Sequence, residues 1–197
     1  MRKVFLVIIF AGFLSILSCS SQSKTTGITI DEVETSLSEN NVKVTLEKYF
    51  NCEKYAGSAY EKIASGSPEW ISLAEMMLKY SDACYTEGIQ ASLGEAMRKA
   101  PRDVLRLVNK TTTLGANYIC LPFISSELPI KEQLEEIEVS KKIIQSVRDD
   151  KLLHQQKACL QFIKTLEADL KSQDSSMPEK SKTPLKEPSP GKLPGSL

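Results

Sequence analysis

The chain has 197 residues, 25 Lys plus Arg against 25 Asp plus Glu, 41% hydrophobic residues, five cysteines and one histidine, which fits a single ordinary domain with appendages. Its balanced, interspersed charge argues against a dedicated nucleic-acid binder, because such proteins carry a basic excess or a basic stripe. The lone apolar run, at the N-terminus, argues against a multi-span membrane protein.

Arg2 and Lys3 precede an apolar stretch over residues 4–17, and Ile16-Leu17-Ser18-Cys19 closes it with small residues and a cysteine. That order is the order of an export signal, so residues 1–18 are expected to be removed. The stretch is shorter than the roughly 20 apolar residues a spanning helix needs, and Gly12 and Ser15 interrupt it. Ile16-Leu17-Ser18-Cys19 also resembles the lipobox of bacterial lipoproteins. The resemblance implies that Cys19 carries diacylglycerol, becomes the acylated N-terminus and makes the membrane a partner. Two or three acyl chains, at about 0.8 kcal/mol per buried methylene, anchor stably where one does not. Ser20 in place of Asp after the cysteine implies, for a Gram-negative source, the periplasmic face of the outer membrane. Leu17 stands where the family usually has a small residue, which leaves an ordinary signal cut near Ser20 as the alternative. Without Arg2 and Lys3 the exported chain carries two more acids than bases, too little to steer it towards a charged partner.

Residues 19–30, rich in Ser and Thr, read as a lipidated tether. Residues 31–171 read as an all-α domain of about six helices arranged as packed hairpins, because apolar residues recur at three and four and alternating runs are absent. Asp31 and Glu34 suggest a capping box opening the first helix, which Asn40-Asn41 ends. The second is expected to run unbroken from Val42 through Leu46, Tyr49, Phe50, Ala56, Tyr60 and Ile63 to Gly66. Ser67 and Pro68 open a third, burying Trp70, Leu73, Ala74, Met77 and Leu78. A fourth covers residues 85–99 through Ile89, Leu93 and Met97, and Pro101 starts a short one with Val104, Leu105 and Val108. Residues 111–115 read as a loop and 120–124 as an extended apolar segment that Pro122 keeps out of helix. Pro129 opens a long helix whose inner face is Leu134, Ile137, Ile144 and Val147. Its outer face is charged, with Glu preceding Lys, as suits a solvated surface. Asp149-Asp150 caps the last helix, with Leu153, Cys159, Leu160, Ile163, Leu166 and Leu170 facing inwards. Residues 172–197 hold five of the nine prolines and no aromatic residue. That composition predicts a disordered tail, since it buries too little apolar surface to offset ordering.

With Cys19 taken by lipid, four cysteines remain in a chain sent to an oxidising compartment, which favours two disulfides. Antiparallel helices turning near Gly66 set Cys52 level with Cys84, leaving Cys120 for Cys159. Each bridge closes a loop worth about 3 to 4 kcal/mol in the chain-entropy model. No Cys-x-x-Cys or His-rich spacing points to a metal, so no metal and no cofactor is expected.

Chemistry is sparsely marked. His154 lies among Gln155, Gln156 and Lys157, and no Gly-x-Ser-x-Gly, phosphate loop or His-Glu-x-x-His occurs. Glu53 with Glu61, or Glu69 with Glu75, would suit a cell-wall hydrolase only if brought together in a cleft. Trp70, Tyr60 and Tyr80 stand at spacings that suit a core better than a groove. The segments 120–124 and 158–160 are similar to small exported helical proteins of proteobacteria, a likeness that implies no activity. The reading reached is a lipid-anchored, non-enzymatic envelope protein whose helical domain binds a protein partner and no nucleic acid. An immunity or inhibitor protein against an envelope-acting toxin or lytic enzyme is the alternative, and a cell-wall enzyme the third.

Overall fold

The computed structural model describes residues 27–52, 55–122, 124 and 127–176. The signal segment, Cys19, most of the tether and the Pro-rich segment from residue 177 onward lie outside them. Nine α-helices and two short 3-10 turns make up the described residues, and no strand occurs among them.

The chain opens with a hairpin of α1 (Ile30–Glu39) and α2 (Val42–Tyr49). The capping box that starts α1 is Thr29 with Glu32, not Asp31 with Glu34: the Glu32 amide donates to Thr29 Oγ1 at 3.3 Å and the Thr29 amide to Glu32 Oε2 at 3.0 Å. Thr29 is the residue in extended conformation, so its hydroxyl reaches the third helical residue. Asn41 then caps α2 through the Val44 amide at 3.0 Å. Inside the hairpin the buried hydroxyls of Ser36 and Thr45 meet at 2.9 Å, and Tyr49 donates to the Glu32 carbonyl.

The expected long second helix is two helices, with α2 ending at Tyr49 and α3 spanning Ala59–Ala64. Gly57 lies between them at φ +74°, a backbone conformation that glycine adopts freely and that helix cannot contain. Ala56, expected on the apolar face, is exposed in this break, and so is Cys52. After α3 come α4 (Pro68–Met77), α5 (Ala83–Ala96) and α6 (Pro101–Leu105). Here the expected inner faces hold: Trp70, Leu73, Ala74, Met77, Leu78, Ile89, Leu93, Met97, Val104, Leu105 and Val108 are all buried. A 3-10 turn (Thr112–Leu114) and the one-turn helix α7 (Ala116–Ile119) occupy what reads in sequence as loop. Cys120 retains helical φ and ψ as the cap of α7, and the helix does not continue into Leu121 and Pro122.

The long α8 (Ile130–Ser146) packs along α9 (Leu153–Ser176). Ile137 and Ile144 of α8 and Cys159, Ile163 and Leu170 of α9 reach the core, with Leu134, Val147, Leu160 and Leu166 partly buried against it. Asp149 caps the 3-10 turn Asp150–Leu152 rather than α9 itself. That extra turn brings Leu152 inside and leaves Leu153 46% exposed, contrary to expectation. At its far end α9 continues through Ser176, past the expected start of the tail at residue 172. The hydroxyls of Ser172 and Ser175 fold back onto helix carbonyls there.

The two disulfides are those the sequence pattern favours. Cys52 joins Cys84 with Cα atoms 5.8 Å apart, and Cys120 joins Cys159 with Cα atoms 5.4 Å apart. One core runs through the described helices, from Val33 in α1 to Leu170 in α9.

Candidate functional site

On α5, the spacing of Glu87, Gln90 and Ala91 puts three side chains on one face, and on α9 Phe162 and Leu166 share another. Between these faces run α7 and the chain that follows it, contributing Asn117, Tyr118, Leu121, Pro122 and Ile124. Together they enclose a cleft of about 380 Å³. Its walls are mainly aliphatic and aromatic, and it is open on one side rather than sealed.

Three features fix its shape. The fully buried Cys120–Cys159 bond ties the segment before Leu121 to α9, three residues before Phe162. Gly94 lets α5 approach the same segment so closely that a Cβ there would lie 2.1 Å from the Leu121 carbonyl oxygen. Gln90, itself buried, donates from Nε2 to the Thr113 carbonyl at 2.6 Å, which holds the turn before α7 against α5. Tyr118 stands at the edge, 47% exposed. Glu87 is exposed at the mouth and is in no ion pair among the described residues, so the cleft joins an apolar interior to one uncompensated negative charge.

The acid pairs that sequence singles out are not assembled into a catalytic cleft. Glu75 pairs with Lys110 at 3.0 Å. Glu69 accepts the Ser67 hydroxyl, which holds its carboxyl below the usual carboxylate range. Glu61 accepts the Gly57 amide at 2.8 Å, and Glu53 lies outside the described residues. His154 is exposed in a shallow depression whose lining, with Asn109, Lys157, Gln161 and Lys164, includes no carboxylate or hydroxyl residue. Trp70 and Tyr60 are core residues, 7% and 3% exposed, whereas Tyr80 is 62% exposed and lies outside the cleft. Among the described residues no group of three or more His, Cys, Asp and Glu is placed to hold a metal ion, and no helix is long and apolar enough to cross a membrane.

Sequence reasoning missed Glu87, Gln90, Tyr118 and Phe162. The usable signals were Gly94 inside a helical pattern and Pro122 beside a cysteine in an apolar run, both marks of close backbone approach. Comparison of the chain with protein-family models, with curated proteins and with solved structures finds no match.

Proposed function

We propose that this is a non-enzymatic envelope lipoprotein, anchored through acylated Cys19, whose helical domain binds another protein in the cleft between α5, α7 and α9. The observation that carries the reading is the cleft itself, an open apolar surface with its geometry held by the Cys120–Cys159 bond. A preformed site lowers the ordering cost of association, and apolar walls with a few placed polar groups suit recognition. The occupant is a protein segment that offers apolar side chains to Ala91, Leu121, Ile124, Phe162 and Leu166 and a basic side chain to Glu87. Ten residues separate Cys19 from the first residue of α1, and the eleven backbone steps let the domain stand at most about 40 Å from the lipid surface.

A photoreactive amino acid at Tyr118, compared with one at Tyr80, tests this in intact cells. A discrete crosslinked partner is expected from position 118, absent from position 80 and weakened by Glu87→Lys. No adduct from 118, or the same adducts from both positions, overturns the binding site.

A further inference from the structure

The two disulfides differ in the property that governs exchange. Cys120 and Cys159 are fully buried, whereas Cys52 and Cys84 are both exposed. On one side the exposed bond joins a connection between two helices. Cys52 comes after α2 has ended at Tyr49, and residues 55–58 are outside helix before α3 begins at Ala59. Among the described residues, the links of residues 55–58 are mostly local. Ser58 donates to the Tyr55 carbonyl, the Gly57 amide to Glu61, the Ser92 hydroxyl to Tyr55 Oη at 3.5 Å, and the Tyr55 ring stacks on Tyr60 at 5.9 Å. On the other side Cys84 lies in the first turn of α5, just after Ala83, whose φ of +24° is unusual for a residue with a side chain.

We infer that the Cys52–Cys84 bond is a thiol-exchange site, opened in the folded protein by a dithiol reductant while Cys120–Cys159 stays closed. Exchange requires a thiolate to reach a sulfur in line with the bond that breaks, and only the outer pair offers that access. In the first step a thiolate of the reductant attacks Sγ of Cys52. The Cys52–Cys84 bond breaks, a mixed disulfide forms on Cys52, and Cys84 leaves as a thiolate on the first turn of α5, where unpaired backbone N–H groups favour negative charge. In the second step the reductant's other thiolate attacks its own sulfur in the mixed disulfide and releases Cys52. Both cysteines gain protons, the protein has taken up two electrons, and the reductant has become an internal disulfide. Beneath the bond Phe50, Ala59, Tyr60 and Ile89 are buried in the core shared with the other helices, packing that stays in place when the bond opens. The reduced domain therefore keeps its fold and presents two surface thiols, open to modification.

The test uses the folded full-length protein, treated with graded dithiothreitol and alkylated, then unfolded, fully reduced and alkylated with a second reagent. Cleavage after Lys and Arg puts the four cysteines in separate peptides, residues 49–54, 80–98, 111–131 and 158–164, so each is read by mass. Cys52 and Cys84 are expected to carry the first label at dithiothreitol concentrations about tenfold or more below those needed for Cys120 and Cys159, with helical circular dichroism unchanged. Labelling of all four over one concentration range, or of Cys120 and Cys159 first, overturns the assignment. Loss of helical signal as Cys52 and Cys84 become labelled overturns it equally, because the bond would then be structural.

Discussion

Replacing Gly94 by alanine sets two effects of opposite sign against each other. In an isolated helix the change is favourable by about 1 kcal/mol, because glycine loses more backbone freedom on folding and is a poorer helix former. In this fold the new Cβ would lie 2.1 Å from the Leu121 carbonyl oxygen, 2.9 Å from its carbon and 3.1 Å from Pro122 Cα. All three neighbours are backbone atoms, so no rotamer change relieves the contact. The segment is bonded to α9 one residue earlier, through Cys120, so α5 has to shift by about an ångström or the segment has to buckle. Overpacking of this kind costs about 3 kcal/mol at the upper end of its usual range. Set against the gain in helix propensity, the net loss is about 2 kcal/mol. For a domain of this size that lowers Tm by about 4 to 8 °C. Thermal unfolding followed at 222 nm, with urea titration for the free energy, reads the effect. Gly94→Ala is also expected to weaken crosslinking from position 118, since the displaced segment forms a wall of the cleft. A variant as stable as the parent, or more so, would show that α5 and the 120–122 segment do not make this approach, and the proposed site would lose its geometry with it.

Other consequences of the arrangement are open to measurement. Cys19→Ala is expected to abolish incorporation of labelled fatty acid, and retained labelling would refute the anchor. The Tyr60 hydroxyl is buried with no hydrogen-bond partner among the described residues, so Tyr60→Phe is expected to be neutral or stabilising by up to about 1 kcal/mol in urea unfolding; a clear loss would reveal a partner. Burial also pushes the Tyr60 hydroxyl from 10.0 up to about 12. The fold therefore favours the neutral phenol, and its contribution is complete below pH 10 and lost as pH rises from 10 towards 12, a loss that Tyr60→Phe removes from the pH profile of Tm. Hydrogen bonds from Lys171 first and Lys141 second hold the Glu167 carboxyl below its usual 4.5. Its contribution is then present above that pH and lost as pH falls through the folded value, so Glu167→Gln should lower Tm at pH 7 and lower it by less at pH 3. An equal deficit at both values would refute the ionic origin.

Helix content and inner faces were legible because each follows from spacing along a single element; the pairing of Cys52 with Cys84, argued from levels across the turn at Gly66, holds although Cys52 lies beyond the end of α2. Trp70, Leu73, Ala74, Met77 and Leu78 had only to lie on one side of α4 to be buried, and they are. The misreadings cluster where local geometry decides. Residues 42–63 carry helical periodicity throughout, yet Gly57 adopts positive φ and the helix breaks around it. Thr29 outcompetes Asp31 as the first cap because its extended backbone aims its hydroxyl at the Glu32 amide, although both residues had an acid three positions on. A single 3-10 turn after Asp149 rotates the start of α9 enough to exchange Leu152 for Leu153 at the core.

The cleft was not legible, for a different reason. None of its walls is unusual in its own element: Phe162 and Leu166 look like two more inward residues of α9, and Glu87 like another surface acid of α5. What makes a cleft of them is a third body, the chain from α7 to Ile124, wedged between α5 and α9 and fixed by a glycine on one side and a disulfide on the other. Pairing Cys120 with Cys159 placed that segment on α9 but left open which of its faces stayed uncovered. Gly94 supplies the missing half, because a glycine within a 14-residue helix costs up to about 1 kcal/mol relative to alanine unless something approaches too closely for a side chain. The two constraints together hold the Leu121 backbone against α5 and Cys120 against α9. The cleft is therefore part of the rigid core's own edge, where binding needs little reorganisation, and this separates it from the other shallow depressions on the surface.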